Sequence, residues 1–153
     1  MKKHEEEALE LFYKGYNCAQ AVVGSFADKM NLTQEDALRI SEKYASGTYI
    51  ASGPFLAISI VLNYAENRKA SRNPLKLSPE IKRKGEKLKE NYKKSLGTTT
   101  CRGTRLMKTN NIDNRYQIDG CNRCIQEAVR QLDDFFSSEQ DLSNLKTDFI
   151  TAY

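Results

Sequence analysis

The stretch Phe55-Leu-Ala-Ile-Ser-Ile-Val-Leu62 carries almost no polar side chain, and Pro54 stands ahead of it where proline suits the first helical turn. It is about half as long as the ~20 apolar residues that cross a membrane. As a helix running to about Glu66 it offers no face to water, so the fold must wrap it on every side. Eight glycines, three prolines and no tryptophan in 153 residues supply too few turns for a β-sandwich to do the wrapping. Helices must do it. The expectation is an all-α fold: one domain over 1–153, a compact bundle of about six helices.

The other helices announce themselves by period and caps. Residues 5–14 are helix formers with acids at the N-terminal end, which suits the macrodipole, and Gly15 ends them. Asn17 then caps a second helix in which Ala19, Val22, Val23, Phe26, Ala27 and Met30 recur at helical spacing. Thr33 with Asp36 resembles a capping box, and a third helix follows to about Ala45. After a loop over 46–53 comes the Phe55 helix, then a polar linker over 67–77. Ser78-Pro79-Glu80 opens a fifth helix with a narrow apolar stripe of Ile81, Leu88, Tyr92 and Leu96, which Gly97 closes. Residues 98–120 have no period and read as a long irregular segment. Asp119 or Gly120 precedes a sixth helix bearing Ile125, Ala128, Val129, Leu132, Phe135 and Phe136, and a short separate helix is expected within 143–153.

Charge and targeting narrow the function classes. The net charge is +4, yet residues 68–94 hold eleven Lys/Arg against three Glu, which makes that segment +8 and the rest −4. Such a stripe can meet an anionic partner, but Tyr92 is the one aromatic interleaved with Lys82–Lys94, which argues against nucleic-acid binding. The N-terminus runs into Glu5–Glu7 with no apolar signal region, and no segment spans a membrane, so a cytoplasmic location is expected. Glutathione and thioredoxin keep structural disulfides rare there. The four cysteines then point to metal binding or redox work, with ordinary buried thiols as the plain alternative.

Cys121-Asn-Arg-Cys124 is the sharpest local signal. If it opens a helix, its two thiols share a face, close enough for a disulfide or one metal, and the helix dipole favours the leading thiolate. No βαβ pattern surrounds it, which excludes a thioredoxin-like reading. It is only half a zinc site. Cys18 and Cys101 complete a four-thiolate set if the fold gathers them. Cys18 falls in the first turn of its helix, where a thiolate is stabilised. Cys101 is flanked by Arg102 and Arg105. His4, the sole histidine, reads as part of a frayed terminus and is set aside as a ligand; Glu5–Glu7 and Asp133-Asp134 read as solvated helix faces.

The cysteine surroundings carry a resemblance. Tyr13-Lys-Gly-Tyr-Asn-Cys-Ala-Gln-Ala-Val22 resembles the opening motif of the C-GCAxxG-C-C family of redox-active proteins. Ala37-Leu-Arg-Ile-Ser41, Cys101-Arg102 and Cys121 to Leu132 are similar to its later motifs, over roughly residues 8–136 in order. The resemblance maps three family cysteines onto Cys18, Cys101 and Cys121, with Cys124 an addition. The GCAxxG element falls on Ser52-Gly-Pro-Phe-Leu-Ala-Ile-Ser-Ile-Val61, where Phe55 takes the place of the second cysteine and Leu56 and Ile60 take those of small residues. It implies a cysteine-based redox protein or a metal centre, zinc or iron–sulfur, on Cys18, Cys101, Cys121 and Cys124, with a redox partner protein. A decayed site would hold no cofactor. The alternative is a non-catalytic helical protein, a homo-oligomer or partner-binding module in which the cysteines are remnants; a buried apolar helix in a thin core predicts self-association.

Overall fold

The computed structural model describes the backbone of residues 2–44, 53–66, 75, 77–97 and 116–151, and in the last of these stretches the side chains of 122–139. All regular structure among the described residues is helical. The all-α expectation holds.

Helix α1, Lys3–Tyr13, ends at Lys14, and Gly15 takes a left-handed φ of 108° that reverses the chain. Asn17 caps α2, Cys18–Ser25: its Oδ1 accepts the Gln20 N–H at 2.8 Å while Gln20 Oε1 accepts the Asn17 N–H at 3.1 Å, a complete capping box. The Gln20 amide then donates to Leu38 O at 3.0 Å and ties α2 to α4, Gln34–Ser41. The single helix expected as far as Met30 is broken at Phe26 (φ −104°, ψ 16°), leaving a four-residue α3, Ala27–Met30. The break has two local causes. Ser25 Oγ donates back to Val22 O at 2.7 Å, and the Phe26 ring stacks on His4 at 4.2 Å and meets Phe136 at 5.9 Å. Helix α4, Gln34–Ser41, starts on Thr33, whose Oγ1 accepts the Asp36 N–H at 3.1 Å; Asp36 pairs with Arg39 at 2.8 Å instead of closing the box. A 3-10 turn, Glu42–Tyr44, follows.

Helix α5, Gly53–Glu66, is the centre of the bundle, as its composition requires. Ala57, Ile58, Ile60, Val61 and Leu62 are fully buried, and the helix packs against α2, α3, α6 (Pro79–Leu96) and α7 (Tyr116–Thr151). Helix α6 has its expected caps, with Ser78 Oγ accepting the Ile81 N–H and Gly97 at φ 75°. It runs antiparallel to α5: Phe55 meets Tyr92 edge-on at 5.4 Å at one end, and Glu66 meets Lys84 at 3.4 Å at the other.

Helix α7 corrects two expectations. It is one continuous helix of 36 residues rather than a sixth helix capped at Asp119 or Gly120 and a separate tail helix. No proline interrupts residues 116–151, and an interior glycine costs only ~1 kcal/mol, too little to end a helix held by packing. The last part of the expected irregular segment is therefore helical, and 98–115 lies outside the described residues.

His4 is the third correction. Its Nδ1 lies 2.8 Å from Asp133 Oδ1, its Nε2 lies 3.2 Å from both oxygens of Asp28, and its side chain is 15% exposed. It is a junction of α1, α3 and α7 rather than a frayed end. Glu5, expected on a solvated face, is buried beside Arg130 at 3.8 Å, and Asp133 is 12% exposed. These contacts, with Asn122 Nδ2 donating to Tyr13 Oη at 2.9 Å, run α1 and α7 antiparallel: 13 to 122, 5 to 130, 4 to 133.

His4→Ala removes the stack and leaves Asp133 and Asp28 without their partner. It is expected to lower stability by about 1–3 kcal/mol. Thermal unfolding followed by circular dichroism should show this as a fall in Tm of roughly 3–10 °C. The α5–α6 seam makes an opposed pair of predictions. Burial works against the Lys84 charge, but Glu66 and Glu139 outweigh it and hold its pKa above the usual 10.5. Burial, with Lys82 adding, pushes Lys89 below 10.5 against the pull of Glu86. Lys84 thus contributes stability below pH 10.5 that is lost as pH rises through its raised pKa. Lys84→Met should lower Tm at pH 7. Lys89→Met should raise it, and that gain should shrink as pH climbs from the depressed pKa through 10.5, above which the wild-type amine is neutral in both states.

Candidate functional site

Antiparallel packing decides which chain ends meet. The Tyr13–Asn122 contact sets the Cys121–Cys124 turn of α7 beside the Gly15 reversal, which leads directly into Cys18. The start of α5 reaches the same place, since Gly53 abuts Cys18 and Ala19. Phe55 meets Tyr92 near the end of α6, so α6 also finishes at this end, and its C-cap Gly97 is four residues before Cys101 in the chain. One end of the bundle thus holds Cys18, the Cys121–Cys124 turn and the point from which the chain departs towards Cys101.

Cys18 is the first residue of α2 and is 4% exposed. Two effects compete on its thiol: the positive end of the helix dipole favours a thiolate, and burial disfavours one. Its Sγ is closed off by α5. A Cβ built on Gly53 would lie 2.8 Å from Cys18 Sγ, 3.0 Å from Tyr44 O and 3.1 Å from Ala19 Cβ, so no larger residue fits there undisturbed. Asn17, beside Cys18, also donates from Nδ2 to Glu42 O at 2.8 Å, which fixes the turn before α4's end gives way to α5.

Cys124 is fully buried on α7 among Ile125, Ala128 and Val129. Cys121 lies inside α7, one turn earlier, rather than in a first helical turn. The dipole argument for a leading thiolate therefore does not apply to it: α7 begins five residues before, at Tyr116. The side chain of Cys121 and the whole of Cys101 lie outside the described residues, and with them the expected four-thiolate set. Among the described residues no group of three His, Cys, Asp or Glu side chains is arranged to hold a metal ion. Nor is any described helix long and apolar enough to cross a membrane.

Two features at this end have no local sequence signal. Gly53 reads as the last residue of the loop before the helix, and nothing local marks it as a contact with Cys18, a residue 35 positions away. The Tyr13–Asn122 hydrogen bond spans 109 positions and has no local signal either. The Asn17 cap, by contrast, follows from the sequence, and the spacing Asn-x-x-Gln is the signal that would have added its reciprocal partner Gln20. Phe55, the residue matched to a missing cysteine, faces α6: its ring meets Tyr92, and the Lys89 ammonium sits 5.2 Å from its centroid.

A family model described as "Putative redox-active protein (C_GCAxxG_C_C)" matches residues 16–135. No curated protein and no solved structure matches the chain.

Gly53→Ala should be destabilising by about 1–3 kcal/mol, the usual cost of overpacking, despite alanine's better helix propensity. Cys18→Ala in that background should recover part of the loss, because it removes the sulfur the new methyl meets. A double-mutant cycle on urea unfolding reads the coupling directly. An additive result would show that the Gly53 contact does not govern Cys18 packing.

Proposed function

The chain belongs to the family described as putative redox-active proteins (C_GCAxxG_C_C), and we propose that its activity is thiol–disulfide exchange at the cysteine end of the bundle. The observation that carries this reading is the convergence there of Cys18, the Cys121–Cys124 turn and the exit of α6 towards Cys101. In this reading Cys18 is the enclosed member of a couple. Another cysteine of the end, Cys101 or Cys121, takes the disulfide from outside as a mixed disulfide, and Cys18 resolves it. Two thiols become one disulfide, and two electrons and two protons pass to the substrate, which leaves as two thiols. The reading suits a reducing compartment such as the cytoplasm, where a dithiol is the resting state.

The register at α5 bears on the family pattern. Gly53 is the glycine whose missing side chain admits Cys18 Sγ, so we assign it to the first glycine of the GCAxxG element. Pro54, buried and next in the chain, then stands where the second cysteine belongs, rather than Phe55. On this assignment the second sulfur of the family pattern is replaced by a residue with no redox chemistry, and exchange rests on the remaining cysteines. A zinc or iron–sulfur centre on Cys18, Cys101, Cys121 and Cys124 would use the same set of thiolates. A second reading has its own support: both described cysteines are buried, Cys18 at 4% and Cys124 at 0%, which is also how cysteines pack in a helical protein without thiol chemistry.

One experiment separates these readings. Protein purified anaerobically without a tag is analysed for metals, equilibrated in glutathione buffers of graded potential, and alkylated for mass counting. Thiol exchange predicts that two thiols disappear together at a single midpoint and that Cys18→Ser abolishes the step. Stoichiometric zinc or iron lost in that variant would favour the metal centre. Four thiols at every potential, with no metal, would leave only the packing role.

A further inference from the structure

The charged groups at the cysteine end are nearly all of one sign. Lys14 and Arg123 each stand next to a partner of the Tyr13–Asn122 hydrogen bond. Lys93 and Lys94 follow Tyr92, the residue of α6 that meets Phe55 near the start of α5. Lys43 precedes Tyr44, whose carbonyl oxygen lies against Gly53, and its ammonium sits 5.4 Å from the Tyr44 ring centroid. All five are exposed, and none is ion-paired among the described residues. Glu42 is the one carboxylate beside them among those residues. One turn further in stand Glu10, Glu90 and Glu127 with Arg39 and Lys89, and the sign of the end is unchanged.

Helix stability explains part of this pattern. Lys14, Lys93 and Lys94 lie at the C-terminal ends of α1 and α6, where a cation complements the dipole, and acids open the same helices at the other end. It does not explain Arg123, which stands two turns into α7, beyond the reach of the dipole and between Cys121 and Cys124. Nor does it explain the placement of the five around α2 and α5. Helix α1 packs on α2, α6 packs on α5, and α7 and the 3-10 turn pack on both. The starts of α2 and α5, where Cys18 meets Gly53, thus lie between cations on four surrounding chain passages. Unpaired charges of one sign add their fields and raise the local concentration of ions of the other sign.

We propose that this end selects small disulfides that carry carboxylates, drawing them in by charge before exchange. The inference rests on the thiol-exchange reading and names its substrate class. A compact dianion between the four passages feels all five charges together, which an extended surface lying along one helix does not. The exchange is balanced. A protein thiolate attacks one sulfur, the S–S bond breaks, and the first half leaves with the proton that the protein thiol released. A second protein thiol displaces the other half and gives its proton to it. Two protein thiols become one disulfide, and the substrate becomes two carboxylate-bearing thiols.

The test compares three disulfides of like size on the reduced full-length chain: dithiodipropionate, a dianion; hydroxyethyl disulfide, which is neutral; and cystamine, a dication. Each rate is read by maleimide quenching and thiol counting, and is divided by the rate of the same disulfide with free mercaptoethanol. At ~10 mM ionic strength, where the Debye length is ~30 Å, the dianion should react about tenfold faster than the dication, with the neutral disulfide between. At ~1 M, with a Debye length of ~3 Å, the three should converge. Variants are compared at ~0.1 M, where the Debye length of ~10 Å is well short of the ~27 Å that 18 residues of α6 span. There Lys93→Glu/Lys94→Glu should lower the dianion-to-dication ratio roughly threefold. Lys2→Glu/Lys3→Glu makes the same change of charge at the other end of α1 and should leave the ratio as in the wild type. The ratio is internal to each protein, so partial loss of folded material drops out, and the salt series needs no variant. Equal rates for the three disulfides at low salt, or an equal fall in both variants, would overturn charge selection and leave thiol exchange standing. A wild-type chain that reacts with none of the three would overturn thiol exchange, and the selection with it.

Discussion

Helix α5 has no side it can turn to water, and the rest of the molecule is arranged around that constraint. Ile58, Ile60, Val61 and Leu62 are all fully buried although they point in different directions around the helix, so neighbours are needed on several sides at once. Helices α2, α3, α6 and α7 supply them. Gly85 of α6 lets Leu62 approach to 3.3 Å of where a Cβ would stand, and Gly53 does the same for Cys18 at the other end. A small domain gains much of its hydrophobic stabilisation from one such element, at ~25 cal/mol for each Å² of apolar surface removed from water. The cost is that each surrounding helix must be held in a fixed direction.

That direction comes from polar contacts at the periphery. Tyr13–Asn122, Glu5–Arg130 and His4–Asp133 fix the register of α1 on α7, and Lys84 between Glu66 and Glu139 joins α5, α6 and α7. Surface ion pairs are worth little energetically. Their effect here is on alignment: apolar ridges slide past one another at small cost, whereas a half-buried Asp133 has one good partner. The two ends of the bundle differ as a result. One end is closed by the His4 cluster with its stacked Phe26 ring, and the other holds Cys18 and the Cys121–Cys124 turn.

Much of this was legible in the chain, and the boundary between what was and what was not is physical. Caps at Asn17, Thr33, Ser78 and Gly97 are decided within four residues, and each appears where the sequence places it. The central position of α5 followed from composition alone. What escaped depends on partners far away in sequence. His4 looks like a terminal residue until Asp133, 129 positions on, is packed against it. Glu5 looks solvated until Arg130 arrives. Helix α7 runs through Gly120 because α1, α2, α5 and α6 hold it, and local propensity cannot register that support. At the candidate site, the place of Cys18 in the first turn of its helix was legible through the Asn17 cap. Its contact with Gly53 was not, because a glycine that admits a sulfur looks in sequence like any other glycine in a loop.

Thiol chemistry in a helical bundle faces a conflict between the two things a nucleophilic sulfur needs. Middle positions of the helices are dry and tightly packed, where a thiolate is costly and access is blocked, as at Cys124. Helix ends have spare N–H groups and open loops, but they lie far apart unless the topology folds them together. In an up-and-down bundle successive connections alternate between the two ends. Elements that start or finish at one end are therefore neighbours in space although distant in the chain. Cys18 at the start of α2, Gly53 at the start of α5, Gly97 at the close of α6 and the early turns of α7 are such a set. Residues brought to one end in this way are necessarily spaced unevenly along the chain.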